Sequence, residues 1–236
     1  MTRLGLVGGL GPESTIEYYR RILDEWKATE PGSSPPIVID SLDVRRALDL
    51  VARDRDALTE YLAASIERLT TAGADFVAIS ANTPHLVFDA LTARARVPLV
   101  SIVETCADEA SRRGLKRLLL LGTAFTMEAP FYPEVLARRE IHVVVPPEDE
   151  RRWIHAIYVG ELLHGEFHDS TRRELAAIVD RLRVQEGLDG VILGGTELPL
   201  LLRGEKVATL PSLDTTGLHV AAIVKRLQEG VSRGSA

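Results

Sequence analysis

Four short segments hold the residue types that could do chemistry: Gly8-Gly9-Leu10-Gly11-Pro12-Glu13-Ser14-Thr15, Ser80-Ala81-Asn82-Thr83-Pro84-His85, Gly122-Thr123-Ala124-Phe125-Thr126 and Gly194-Gly195-Thr196-Glu197. Each mixes small residues, which let backbone N–H groups approach a ligand, with hydroxyl, amide or carboxyl groups. Each also stands between an apolar run and a helical pattern. N–H groups at a helix start favour anions, so a small carboxylate or phosphate is the natural guest. Titrating groups in these segments are few. His85 is the one that changes charge nearest neutrality. Glu197 sits at a helix start, where a carboxylate is equally a cap. The sole thiol, Cys106, lies a turn into a helix and reads as a small buried apolar residue. Gly9-Leu10-Gly11 supplies the first part of a dinucleotide fingerprint with Asp40 as its acid, but Ser14 stands where the last glycine belongs. His142, His155 and His168 show no metal-ligand spacing, and no metal site is read from the sequence.

Strands are needed to present these segments. Runs rich in Val, Ile and Leu recur at 4–7, 37–39, 76–79, 99–102, 118–121, 143–145, 191–193 and 207–210. Such runs read as strands buried on both faces, as in a parallel sheet covered by helices. Helical patterns fall between them, at 14–27 with Ile16, Tyr19, Ile22 and Leu23, and at 54–71 with Leu58, Leu62, Ile66 and Leu69. Strand–helix alternation predicts an α/β protein. The chain also repeats itself: Val7-Gly8 and Leu121-Gly122 lie 114 residues apart, as do Gly73–Thr83 and Gly187–Glu197. This predicts two pseudo-symmetric Rossmann-like α/β halves with parallel sheets, 1–115 plus 210–236 and 116–209, the last helix at 216–229 packing back on the first half. Ligands of open parallel sheets bind beyond the carboxyl ends of the strands, which places the active-site cleft between the halves.

Composition bounds the function classes. The 236 residues are 45% hydrophobic and 26% charged, ordinary for a globular chain and unlike a disordered or fibrous one. A formal net charge of −6 argues against a nucleic-acid partner or an anionic membrane surface. One cysteine excludes an internal disulfide. No run reaches the roughly 18 apolar residues of a membrane span. The first residues run into a strand pattern without signal-peptide anatomy, so the expected location is cytoplasmic.

Taken in order, the motifs resemble those of the aspartate/glutamate racemase superfamily of cofactor-independent amino-acid racemases. Val7-Gly8-Gly9-Leu10-Gly11-Pro12-Glu13-Ser14-Thr15 is similar to that family's opening, Asn82-Thr83-Pro84-His85 to its C-N-T-x-H, and Leu193-Gly194-Gly195-Thr196-Glu197-Leu198 to its G-C-T-E-[LI]. Gly122-Thr123 with Thr126, and Asp214-Thr215-Thr216 with His219, complete the pattern. The resemblance implies no cofactor, a homodimer and a small amino or dicarboxylic acid as ligand. It implies a substrate-binding set of Gly9, Arg45, Asn82, Thr83, Thr123, Thr126 and Thr196. Arg45 would grip a carboxylate in the planar fork of its guanidinium, with Arg46 as an equal rival.

Racemases of that family use two thiols on opposite faces of the α-carbon, one taking the proton and the other returning one. This chain has Ala81 and Gly195 at those positions, and neither carries a proton. Replacement acid/base groups would come from Ser80, His85, Glu197 or His164; strand alternation turns Ser80 away from the cleft, and His85 and Glu197 each also have a supporting reading. Three functions therefore stand open: a racemase-like isomerase working without the two-thiol mechanism, a lyase or decarboxylase variant of the scaffold, and a carboxylate-binding homologue without turnover.

Overall fold

The computed structural model describes residues 2–232 other than 203 and 205. The first part of the chain forms β1 (Leu4–Gly8), α1 (Pro12–Thr29), β2 (Ile37–Ser41), α2 (Val44–Arg53), α3 (Arg55–Thr71), β3 (Phe76–Ile79), α4 (Phe88–Arg94) and β4 (Leu99–Val100). There follow α5 (Ile102–Arg112), β5 (Arg117–Gly122), α6 (Ala124–Glu128), α7 (Phe131–Ala137), β6 (His142–Val144), α8 (Glu148–Gly160) and α9 (Asp169–Glu186). The chain ends in β7 (Gly190–Gly194), α10 (Leu198–Leu202), β8 (Lys206–Val207), β9 (Leu210–Asp214) and α11 (Thr215–Ser232).

The strands form two sheets, ordered β2-β1-β3-β4 and β6-β5-β7-β9-β8. Every pairing is parallel except the β8–β9 hairpin at one edge. Apart from that hairpin, the two sheets share one strand order, and the 114-residue repeat matches β1 with β5 and β3 with β7. The central strands β1, β3 and β7 are buried along their whole length, and helices pack on them. In β1, Leu4 and Leu6 pack with Tyr18, Ile22 and Trp26 of α1 and with Val220, Ile223 and Leu227 of α11. Val7, Val77 and Ile79 point the other way and pack on Leu58, Leu62, Ile66 and Leu69 of α3. In the second sheet Leu119, Leu121, Val191 and Leu193 pack with Ile154 of α8, Leu175, Val179 and Leu182 of α9, and Leu198 of α10. The helices α2 and α3 start where the sequence supplies a cap: the Asp43 carboxylate accepts from the N–H of Arg45 at 2.8 Å, and Asp54 accepts from Ala57 at 2.9 Å.

The chain divides into two compact units, one running to Ile102 and resuming at His219, the other spanning Val103–Leu218. This differs from the division expected from sequence at both borders. The expected strand at 207–210 is a hairpin: Ala208 takes a left-handed φ of 47°, and Val207 pairs back on Leu210. The chain then continues as β9, which pairs with β7 and so belongs to the second sheet. Pro211 and Ser212 interrupt the apolar run and hide this strand from a periodicity reading. The other border moves because α5 joins the second unit. There Arg139 pairs with Glu104 and Asp108, each at 2.6 Å, and Arg113 donates to the carbonyl of Ser212 at 3.2 Å.

Candidate functional site

In the first unit β1 and β3 run side by side, with Val7 opposite Ile79, so Gly8 and Ser80 leave the sheet at one level. The turn after β1 is built around Gly9. Its φ is +76°, and a side chain there would collide with the backbone of Leu42 and approach the Ser41 hydroxyl to 2.8 Å. The N–H of Gly9 donates to the Thr15 hydroxyl at 2.8 Å. The sequence marked Gly9 as a ligand contact; its geometry also serves the turn itself.

The turn after β3 carries Ala81, Asn82 and Thr83 into a single 3-10 turn, Thr83–Val87. Ser80 is fully buried and donates to the carbonyl of Val7 at 3.0 Å. His85 is 3% exposed. Its Nδ1 lies 3.1 Å from the carbonyl oxygen of Ala81, which only accepts, so Nδ1 carries the proton. Its Nε2 accepts the N–H of Ile102 at 3.2 Å. Both ring nitrogens are thus committed to backbone. Burial, with His219 beside it, pushes the His85 pKa down to about 3. His219 is held likewise: Nε2 lies 3.0 Å from the carbonyl of Val100, and Nδ1 accepts from the Tyr18 hydroxyl at 2.9 Å. Burial lowers its pKa to about 4. The two rings lie edge to face with centroids 6.5 Å apart. They form a neutral buried pair at the end of the first sheet, and His85 acts there as a brace.

In the second unit Gly122 pairs with Gly194, so two turns again leave the sheet together. Thr123 caps α6, accepting from the Thr126 N–H at 3.3 Å, and the two hydroxyls lie 3.2 Å apart. His155 of α8 accepts the N–H of Ala124 at 3.3 Å. The turn after β7 is more closely packed. Gly195, Thr196 and Glu197 are all buried. The Thr196 hydroxyl donates to Glu197 Oε2 at 2.7 Å, and the Tyr158 hydroxyl donates to the same oxygen. Tyr158 is 4% exposed. Burial first, and the charge of Glu197 second, raise its pKa well above the ordinary phenol value, so the phenol keeps its proton. A Cβ at position 195 would lie 2.6 Å from Cε2 and 2.8 Å from Cζ of the Tyr158 ring, and against its hydroxyl. Gly195 does not have a positive φ, and the three atoms nearest to such a Cβ all belong to the Tyr158 side chain.

Sequence reasoning passed over Tyr158. The available signal was its spacing: Ile154, Ile157 and Tyr158 form one apolar helix face, and a buried tyrosine needs a partner for its hydroxyl. Near the last motif, Asp214 accepts from the N–H groups of Thr216 and Gly217 at 3.0 Å each, and the buried Thr216 hydroxyl has no hydrogen-bond partner.

The other candidates lie as follows. Arg45 and Arg46 are exposed in the first turn of α2; the Arg46 guanidinium sits 4.6 Å above the Tyr61 ring, while Arg45 makes no ion pair among the described residues. Asp40 binds Arg68 at 2.6 Å and Ser65 at 2.5 Å, which occupies the acid a dinucleotide site would need. Cys106 is fully buried, and burial pushes its thiol pKa far up; it is packing. Among the described residues no group of three or more His, Cys, Asp or Glu could hold a metal ion, and no helix is long and apolar enough to cross a membrane.

Residues 7–223 match the family model described as Asp/Glu/Hydantoin racemase. A solved structure from Yersinia pestis, described as a candidate Asp/Glu racemase, is similar with a TM-score of 0.88 at 32% identity, over 97% of this chain and 100% of that one. An aspartate racemase homologue from Pyrococcus horikoshii OT3 gives 0.84 at 32% identity, again over 97% and 100%. The broad specificity amino-acid racemase RacX of Bacillus subtilis (strain 168) is 26% identical over 137 residues, which cover 56% of this chain and 60% of that protein.

Proposed function

The chain belongs to the Asp/Glu/Hydantoin racemase family, and on that premise we propose that it binds a small amino or dicarboxylic acid and acts at its α-carbon without a thiol pair. The observation carrying this reading is the match over residues 7–223, which takes in all four turns at the carboxyl ends of the strands. In this reading Asn82, Thr83 and the Gly9 turn are the candidate ligand contacts within the first unit; Thr123, Thr126 and Thr196 are those within the second. Arg45, which is exposed at the start of α2, grips a carboxylate. Ala81 and Gly195 mark where the family's racemases place thiols, so the proton chemistry falls to other groups. The family resemblance also makes a homodimer the expected assembly and a cofactor unnecessary.

A second reading, loss of carbon dioxide followed by protonation, is favoured by one feature. His85 has no free ring nitrogen with which to take a proton, while Tyr158 keeps its proton in a hydrogen bond to Glu197. Decarboxylation makes the carbanion without a base and needs only a donor.

Proton NMR in heavy water tests the first reading, following the α-proton of each enantiomer of aspartate and glutamate. Loss of that signal with protein present supports carbanion formation without cysteine. An unchanged signal, in folded protein that binds one of these acids by calorimetry, turns the assignment to decarboxylation or to binding alone. No binding to any small acid overturns the proposal.

A further inference from the structure

A glycine at a position where a family's chemistry needs a side chain is usually read as a loss. Here the vacated volume is filled. The ring that a Cβ at 195 would strike belongs to Tyr158, three turns along α8, and its closest carbons would be 2.6 and 2.8 Å away. Real Cβ atoms do not come that near, so one of the two groups must yield. The ring is poorly placed to do so. It packs among Ile154, Leu198 and Leu201 in the second unit's core, and its hydroxyl is tied to Glu197. Glu197 is in turn held by Thr196, the residue next to the glycine. A proton-bearing hydroxyl therefore stands at the mouth of β7, against the place where a side chain at 195 would begin.

We propose that Tyr158, held by Glu197, replaces a side chain at position 195 as the second unit's proton donor to the ligand's α-carbon. The inference rests on the functional reading above and deepens it. In the step, the Tyr158 O–H leaves its hydrogen bond to Glu197 Oε2, and the O–H bond breaks as the new C–H bond forms at the carbanion, leaving a phenolate that recovers its proton from water once product leaves. Tyr158 is a donor only: burial and the neighbouring Glu197 charge hold it protonated, so it cannot open the reaction as a base. Glu197 is a positioning residue, acting through the phenol. A corollary is that cysteine restored at 195 finds its place taken.

Two measurements test this, and they separate the packing from the chemistry. The first is a size cycle read by thermal unfolding. Gly195→Ala in the wild-type background is expected to lower Tm by roughly 3–10 °C, from overpacking. In a Tyr158→Ala background the same change is expected to leave Tm unchanged or raise it. Equal losses in both backgrounds would show that the ring does not own that volume, and the proposal falls.

The second uses aspartate, glutamate and aminomalonate as probes in heavy water. Aminomalonate is a small amino dicarboxylate whose decarboxylation leaves a carbanion to be protonated. Deuterium incorporated by wild type is expected to fall about 10²–10⁴-fold in Tyr158→Phe, with ligand affinity kept and Tm lowered by the lost hydrogen bond to Glu197. Glu197→Gln, which can still hold the phenol, is expected to lower kcat with KM unchanged. A Tyr158→Phe protein as fast as wild type overturns the donor role. So does wild type that binds a probe but turns none over, whatever the size cycle shows. Wild type that binds no probe overturns the functional reading itself.

Discussion

His85 and His219 set an acid limit on the first unit. Their pKa values lie at about 3 and about 4, below the ordinary 6.5, because burial disfavours the charged ring. The unfolded chain binds these protons more readily, so the pair's contribution to stability is fully present above pH 6.5. It is lost as pH falls from there toward 3–4. We expect Tm to drop progressively below pH 6.5, and His219→Gln, which can still donate and accept, to flatten that slope. A slope unchanged in the variant would assign the acid sensitivity to other groups. Arg45 and Arg46 divide their tasks in the same residue-by-residue way. Arg45→Ala is expected to weaken carboxylate binding roughly tenfold or more, the scale of a charge-assisted hydrogen bond, with Tm intact. Arg46→Ala is expected to spare affinity and lower Tm slightly, since its guanidinium rests on Tyr61. Reversal of the two outcomes, measured by calorimetry and thermal melts, would give the ligand contact to Arg46.

At the scale of elements, helix starts and one long helix decide where the candidate residues stand. Asp43 caps α2 and so fixes the turn that carries Arg45; Asp54, the residue directly after α2, caps α3. Asp54→Ala is expected to cost about 1 kcal/mol, readable as a lowered denaturation midpoint. The helix α11 does more. Its Val220, Ile223 and Leu227 cover one face of the first sheet, and its His219 completes the buried pair with His85. Ile223→Ala is expected to cost roughly 2–5 kcal/mol, the range for truncating a fully buried large aliphatic side chain. Loss of less than 1 kcal/mol in chemical denaturation would mean that α11 is held by something other than its apolar face.

At the scale of the whole molecule, the chain crosses between units at residues 102 and 218, the second time within one continuous helix. Neither unit can lose its fold without fraying that helix. Each contains one tryptophan, Trp26 in the first and Trp153 in the second. We expect thermal unfolding followed through Trp26 in Trp153→Phe, and through Trp153 in Trp26→Phe, to give coincident transitions once each variant's own stability is allowed for. Separate transitions at well-spaced temperatures would show the units to be energetically independent.

Much of this protein is legible in the order of its residues. Apolar strand runs, helical spacing and the 114-residue repeat determine an α/β chain with two sheets of like strand order, because burial on both faces of a strand writes itself into consecutive residues. The four turns follow from those strands, since small and polar residues at strand ends can serve little else. Three matters were decided only by tertiary structure. The strand Leu210–Asp214 joins the second sheet through pairing with β7, and pairing partners are not local. In sequence His85 reads either as a base or as a supporting group; both its nitrogens are spent on Ala81 and on Ile102, the latter 17 residues away. Gly195 looks like an empty place, yet Tyr158, 37 positions earlier, fills it. A sequence states which groups a residue could bond or exclude; only the packed chain chooses among them, because close packing leaves each volume to one occupant.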